Sequence, residues 1–71
     1  MQQLDFQLRG EFIALCDLLK LTGVSDSGGA AKALVADGAV SVDGQVELRK
    51  TAKIRAGQVV ALTGVRIRVV A

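Results

Sequence analysis

Histidine is absent from the 71 residues, and cysteine occurs once, at Cys16. Without histidine, Ser–His and Cys–His nucleophilic pairs are excluded. A lone cysteine makes no internal disulfide, and no cluster of metal ligands exists in the chain. Cys16 lies among Leu15, Leu18 and Leu19, which points to a small buried apolar side chain rather than a reactive thiol. Asp17, Asp26, Asp37 and Asp43 are scattered, and no base, nucleophile and orienting group converge. No enzyme and no cofactor are therefore expected. No apolar run approaches the ~20 residues of a membrane span, so no membrane partner is expected. The start, MQQLDFQLRG, lacks the basic and apolar regions of a signal peptide. A cytoplasmic location is expected.

Acidic side chains are missing from the last third of the chain. Residues 1–47 carry three basic and seven acidic groups, whereas residues 48–71 carry six basic groups and none acidic. A one-signed segment is an electrostatic argument for a polyanionic partner, and a solvated basic face is the alternative. Four of those charges, Arg49, Lys50, Lys53 and Arg55, fall within the stretch RKTAKIR. Side chains at that density neutralise several phosphates and release counterions. Arg66 and Arg68 alternate with Val65, Ile67 and Val69, and read as the solvated face of a strand.

The length bounds the fold to a single domain over residues 1–71, with a thin core. In EFIALCDLLKLTG, Phe12, Ile13, Leu15, Cys16, Leu18, Leu19 and Leu21 recur at helical spacing, with Gly23 as a stop. A second helix fits SGGAAKALVADG, with Ser27 as N-cap, Ala31, Leu34 and Val35 on one face, and Gly38 at the C-terminus. About four residues separate the two, which predicts a helical hairpin. Beyond Gly38 the period changes to two. Val40 and Val42, then Val46 and Leu48, flank Asp43-Gly44, a strong hairpin signal. TAKI reads as a short strand or link, AGQVVALTG and VRIRVV as two more strands, and DFQL as an added edge strand. The expected class is α+β, with a two-helix hairpin packed on a small, twisted, mostly antiparallel sheet.

The stretch SDSGGAAK places two glycines at a helix start, where their helix propensity is poor. Gly23 and Gly28 have the glycine spacing of a P-loop, but Gly29 and Ala30 stand where Lys and Ser or Thr are required. No strand precedes them, so a nucleotide loop is not expected. A helix start still offers free N–H groups and a favourable dipole to a phosphate. Gly28 and Gly29 leave the backbone bare, Ser25 and Ser27 add hydroxyls, and Lys32 lies one turn on and leans back toward that end. An ordinary capped turn is the alternative.

In sequence, LCDLLK (15–20), SGGAAKALVADGAVSVDGQVELRK (27–50) and KIRAGQVVAL (53–62) together resemble the RNA-binding domain named after ribosomal protein S-four, also called the αL motif. The resemblance covers most of residues 12–70, and is nearest to small stand-alone bacterial proteins made of this domain alone. It implies two helices on a small sheet, with RNA across the start of the second helix and the adjacent hairpin. Ser27, Lys32, Arg49 and Lys50 match motif positions, and Lys53 and Arg55 neighbour them. Many members carry an arginine after the motif serine and another opening the first-helix motif, where this chain has Gly28 and Ala14. The turn asparagine of the family is Asp43 here.

Only Phe6 and Phe12 are aromatic. Phe12 falls on the apolar face of the first helix, leaving no platform on which bases would stack. The expected partner is a structured RNA, ribosomal or transfer RNA among the candidates, recognised through phosphates and shape by a monomer. A protein-interaction module on a ribosome-associated or RNA-processing complex is the competing reading.

Overall fold

The alternation in VRIRVV builds the centre of the sheet. In the computed structural model, which describes residues 2–71, Ile67 and Val69 point into the core while Arg66 and Arg68 point to solvent. This strand, Val65–Val70, is the last of seven. The order is β1 (Gln2–Gln7), β2 (Ile13–Ala14), α1 (Leu15–Leu21), α2 (Gly28–Ala36), β3 (Ser41–Val42), β4 (Gln45–Val46), β5 (Lys53–Ile54), β6 (Val59–Leu62) and β7 (Val65–Val70). Five strands form one sheet in the order β1-β7-β6-β3-β4, and β2 pairs with β5 in a second, two-stranded ladder.

All pairings are antiparallel except that of β1 with β7. The anticipated edge strand at the start of the chain is thus present, longer than DFQL, and parallel to its neighbour. Its register sets Leu4 opposite Ile67 and Phe6 opposite Val69, on the core face. On the outer face Asp5 opposes Arg68 and accepts two hydrogen bonds from its guanidinium, the shorter 3.0 Å. An exposed pair of this kind contributes about 0–1 kcal/mol.

Leu15, Leu18 and Leu19 of α1 and Ala31 and Val35 of α2 are fully buried and pack with Val40, Ile54, Val60, Ile67 and Val69. Cys16 joins them as a buried apolar side chain. The helices pack on each other as the hairpin reading requires. The connection is six residues, 22–27, rather than four. Gly38, in the left-handed region at φ +76°, ends α2.

The first helix begins later than its apolar spacing suggests. Ile13 and Ala14 are paired with Ile54 and Lys53 in the ladder of β2 and β5, so the helix opens only at Leu15. Ala14 provides no capping side chain. Instead the N–H groups of Leu15 and Cys16 donate to the carbonyls of Ala52 and Lys50, at 2.9 and 3.0 Å. The link after β4 therefore caps α1 with its own backbone. Phe12, expected on the helix face, lies outside the helix and is 43% exposed. Leu21 is also exposed, as are Val46 and Leu48 on the edge strand and just beyond it.

The hairpin turn has positive φ at both central residues, Asp43 at +51° and Gly44 at +85°. The Asp43 carboxylate accepts the N–H of Val59 at 2.9 Å, and the Asp43 N–H donates to the Val59 carbonyl at 2.8 Å. The side chain thus ties the hairpin tip to β6. An Asp43→Asn variant keeps both the oxygen and the tolerance of positive φ, and should match the parent within ~0.5 kcal/mol. Asp43→Ala loses both and should cost about 1–3 kcal/mol in a urea melt.

Candidate nucleic-acid interface

Two groups of residues compose the candidate site, and the fold sets them at opposite ends of α1. The first is the start of α2. Ser27 is extended, at φ −154° and ψ 166°, and its hydroxyl oxygen accepts the N–H of Ala30 at 3.2 Å. The Ser27 carbonyl takes the N–H of Ala31. The N–H groups of Gly28 and Gly29 find no acceptor among the described residues. Such groups, at the positive end of a helix dipole, suit an anion.

The glycines there are not demanded by the fold. Neither has a positive φ. A Cβ on Gly28 would meet nothing within 4 Å, and one on Gly29 only the Ser27 hydroxyl at 3.9 Å. Their absence of side chain leaves space in front of the two free N–H groups. Ser25 is different. It is buried at 7% exposure, and its hydroxyl donates to the Ser27 carbonyl at 3.3 Å. Its N–H donates to the carbonyl of Leu19, pinning the loop to the C-terminal end of α1. Ser25 shapes the approach to α2 and is not a free donor to a ligand. Lys32 is exposed on the second turn.

The second group is the link from Arg49 to Arg55. Because Lys50 and Ala52 cap α1, this link crosses the N-terminal end of that helix. Seven residues of helix, about 10 Å, separate it from the Ser25 end. The two clusters, separate in the sequence, thus lie at opposite ends of one short helix. Arg49, Lys50, Lys53 and Arg55 are all exposed, and a shallow depression of about 410 Å³ is lined by Arg49, Thr51, Ala52 and Lys53.

Electrostatics distinguish these four. Arg49 donates through two side-chain nitrogens and its backbone N–H to Glu47, at 3.1–3.3 Å. Part of its field is therefore cancelled. Lys50, Lys53 and Arg55 have no carboxylate within 4.0 Å among the described residues. Lys50 and Lys53 also sit beside the positive end of α1, where a helix dipole disfavours cations. The helix dipole gives no reason for their presence.

Phe12 is the residue that sequence reasoning misplaced. The Lys53 ammonium lies 4.9 Å from its ring centroid and the Arg55 guanidinium carbon 5.9 Å. Both are within cation–π range. The signal available in the sequence was TAKI, a strand without a partner; its partner is Ile13-Ala14, which removes Phe12 from the helix.

This is the architecture of the αL motif: two packed helices, a mostly antiparallel sheet, and a basic link between hairpin and closing strands. The chain matches the S4 domain family over residues 6–70 and belongs to that family. It is 56% identical over 59 residues to the protein YbcJ of Escherichia coli (strain K12), covering 83% of this chain and 84% of that one. Its likeness to YbcJ of Shigella flexneri is the same, 56% over 59 residues, with the same shares covered. The solution structure of YbcJ from E. coli, described as revealing an αL motif involved in RNA binding, superposes with a TM-score of 0.75 at 51% identity. That superposition covers 94% of this chain and 86% of that chain.

The Glu47–Arg49 contact has a pH signature. The Arg49 side chain, and after it the Arg49 backbone N–H, hold the Glu47 carboxyl below its ordinary range. A lowered folded value means that the stabilisation is present above the ordinary glutamate range and lost as pH falls through the lowered value. An NMR titration should find the Glu47 midpoint below the ordinary glutamate value of about 4.3. In Arg49→Ala it should move back up.

Proposed function

We propose that this protein is a non-catalytic RNA-binding module that recognises structured RNA through phosphates and shape. The carrying observation is the trio Lys50, Lys53 and Arg55, exposed and unopposed by carboxylates, on a link whose Lys50 and Ala52 carbonyls cap α1 and whose Lys53 pairs with Ala14. Membership of the S4 family and the likeness to YbcJ support the same reading. In this account the Gly28 and Gly29 N–H groups and the Ser27 hydroxyl receive one phosphate, with Lys32 beside it. Lys50, Lys53 and Arg55 neutralise others, and Arg49 contributes less because Glu47 holds it. Ribosomal and transfer RNAs are the natural probes.

Arg49→Ala combined with Lys50→Ala and Lys53→Ala should weaken binding to a structured RNA several-fold in fluorescence anisotropy. The log–log salt slope should flatten by roughly one unit per lost phosphate contact. Gly28→Arg should tighten binding, since it adds a cation where the backbone is bare. Unchanged affinity in the triple variant, with the fold intact by circular dichroism, contradicts the reading.

A second reading rests on Val46 and Leu48, which are 63% and 62% exposed beside the end of α2. Apolar side chains there suit a protein partner on a ribosomal or RNA-processing complex. Partners captured from a lysate that survive nuclease treatment would favour it.

A further inference from the structure

Phe12 joins the basic link to an apolar groove. The groove has a volume of about 580 Å³ and lies along β1 and the segment that follows it, reaching Leu21 at the C-terminal end of α1. Phe6, Leu8, Ile13 and Leu21 supply its apolar walls, and Arg9 stands among its polar lining residues. Phe12 lines this groove, and its ring also carries Lys53 and Arg55 within 6 Å. The volume lies in the range of small-ligand sites, roughly 300–1,000 Å³. Packing does not explain the ring's position, because Phe12 remains 43% exposed and stands outside the buried core.

The chemistry of the surroundings narrows the occupant. An apolar groove with an aromatic wall favours a flat, weakly polar group. Two cations at the same ring favour an anion covalently attached to that group. A nucleotide of an RNA strand is both at once: its base stacks while its phosphates meet Lys53 and Arg55. We propose that Phe12 and this groove accept an unpaired nucleobase extruded from the RNA that lies along the basic link. The proposal rests on the RNA-binding reading above and adds to it a preference for RNA carrying a bulged or looped-out base. A base extruded there continues the phosphate path of the basic link, which ends at Arg55. An apolar peptide would fit the groove but has no use for the cations, and a second copy of this chain would bring like charge to them.

The test compares one RNA duplex with the same duplex carrying a single-nucleotide bulge. Bound to the unaltered protein, the bulged RNA should be favoured, and Phe12→Leu should reduce that advantage by roughly tenfold, the usual scale of one base–aromatic stack. Phe12→Trp should restore it, since indole stacks at least as well. Phe12 lies outside the buried core, and circular dichroism of each variant checks that the fold is kept. As a direct readout, the Phe12 ring protons should move upfield on addition of the bulged RNA. Equal binding of the two RNAs, or a Phe12→Leu variant that keeps the full preference, overturns the stacking site while leaving RNA binding intact. Failure to bind either RNA overturns the RNA-binding reading itself. Ring shifts that appear with protein concentration alone would assign the groove to a second copy and likewise overturn the proposal.

Discussion

Two backbone hydrogen bonds organise this molecule: Leu15 N–H to the Ala52 carbonyl and Cys16 N–H to the Lys50 carbonyl. They satisfy the start of a helix that has no capping side chain. In doing so they lock an otherwise irregular, highly basic link against the most buried helix of the fold. The ladder of β2 and β5 continues the same contact, with Ile54 in the core and Lys53 outside. A loop carrying four cations would ordinarily be mobile and self-repelling. Here its position is set by hydrophobic burial of Ala52 and Ile54 between the charges.

The two helix starts consequently have opposite fates. At α1 the link takes up the N–H groups of Leu15 and Cys16. At α2, Ser27 satisfies Ala30 and Ala31, and the first two N–H groups remain open behind bare glycines. The second end keeps its first two N–H groups for an external anion. The first end instead becomes the mount for side-chain cations. A backbone cradle and a rigid cationic ridge, about 10 Å apart, form the proposed RNA surface.

Much of the fold was legible because its signals are local. Ser27 as N-cap, the Asp43-Gly44 turn and the alternation of residues 65–70 each depend on neighbours within a few positions, and each stands as read. The sheet's mixed character was not legible, since nothing local tells that the first strand runs parallel to the last. Phe12 shows the same limit within the site. Its spacing to Leu15, Cys16 and Leu19 is helical, but pairing of Ile13 with Ile54, forty-one positions away, outcompetes the helix. The cations of the site were visible as a run of charge. Their inequality was not, because the i, i+2 spacing of Glu47 and Arg49 sets two side chains on one side of an extended chain without fixing that they bond. The Ser25 hydroxyl points to a ligand in the sequence, yet the side chain is buried and bonded to the Ser27 carbonyl.

The central claim is that one RNA contacts both ends of α1, at the Gly-Gly start and along the basic link. Backbone amide shifts on titration with a structured RNA test it most directly. The account predicts that the largest changes fall at Gly28, Gly29, Lys50, Lys53 and Arg55. Changes confined to Val46, Leu48 and the end of α2 would contradict it.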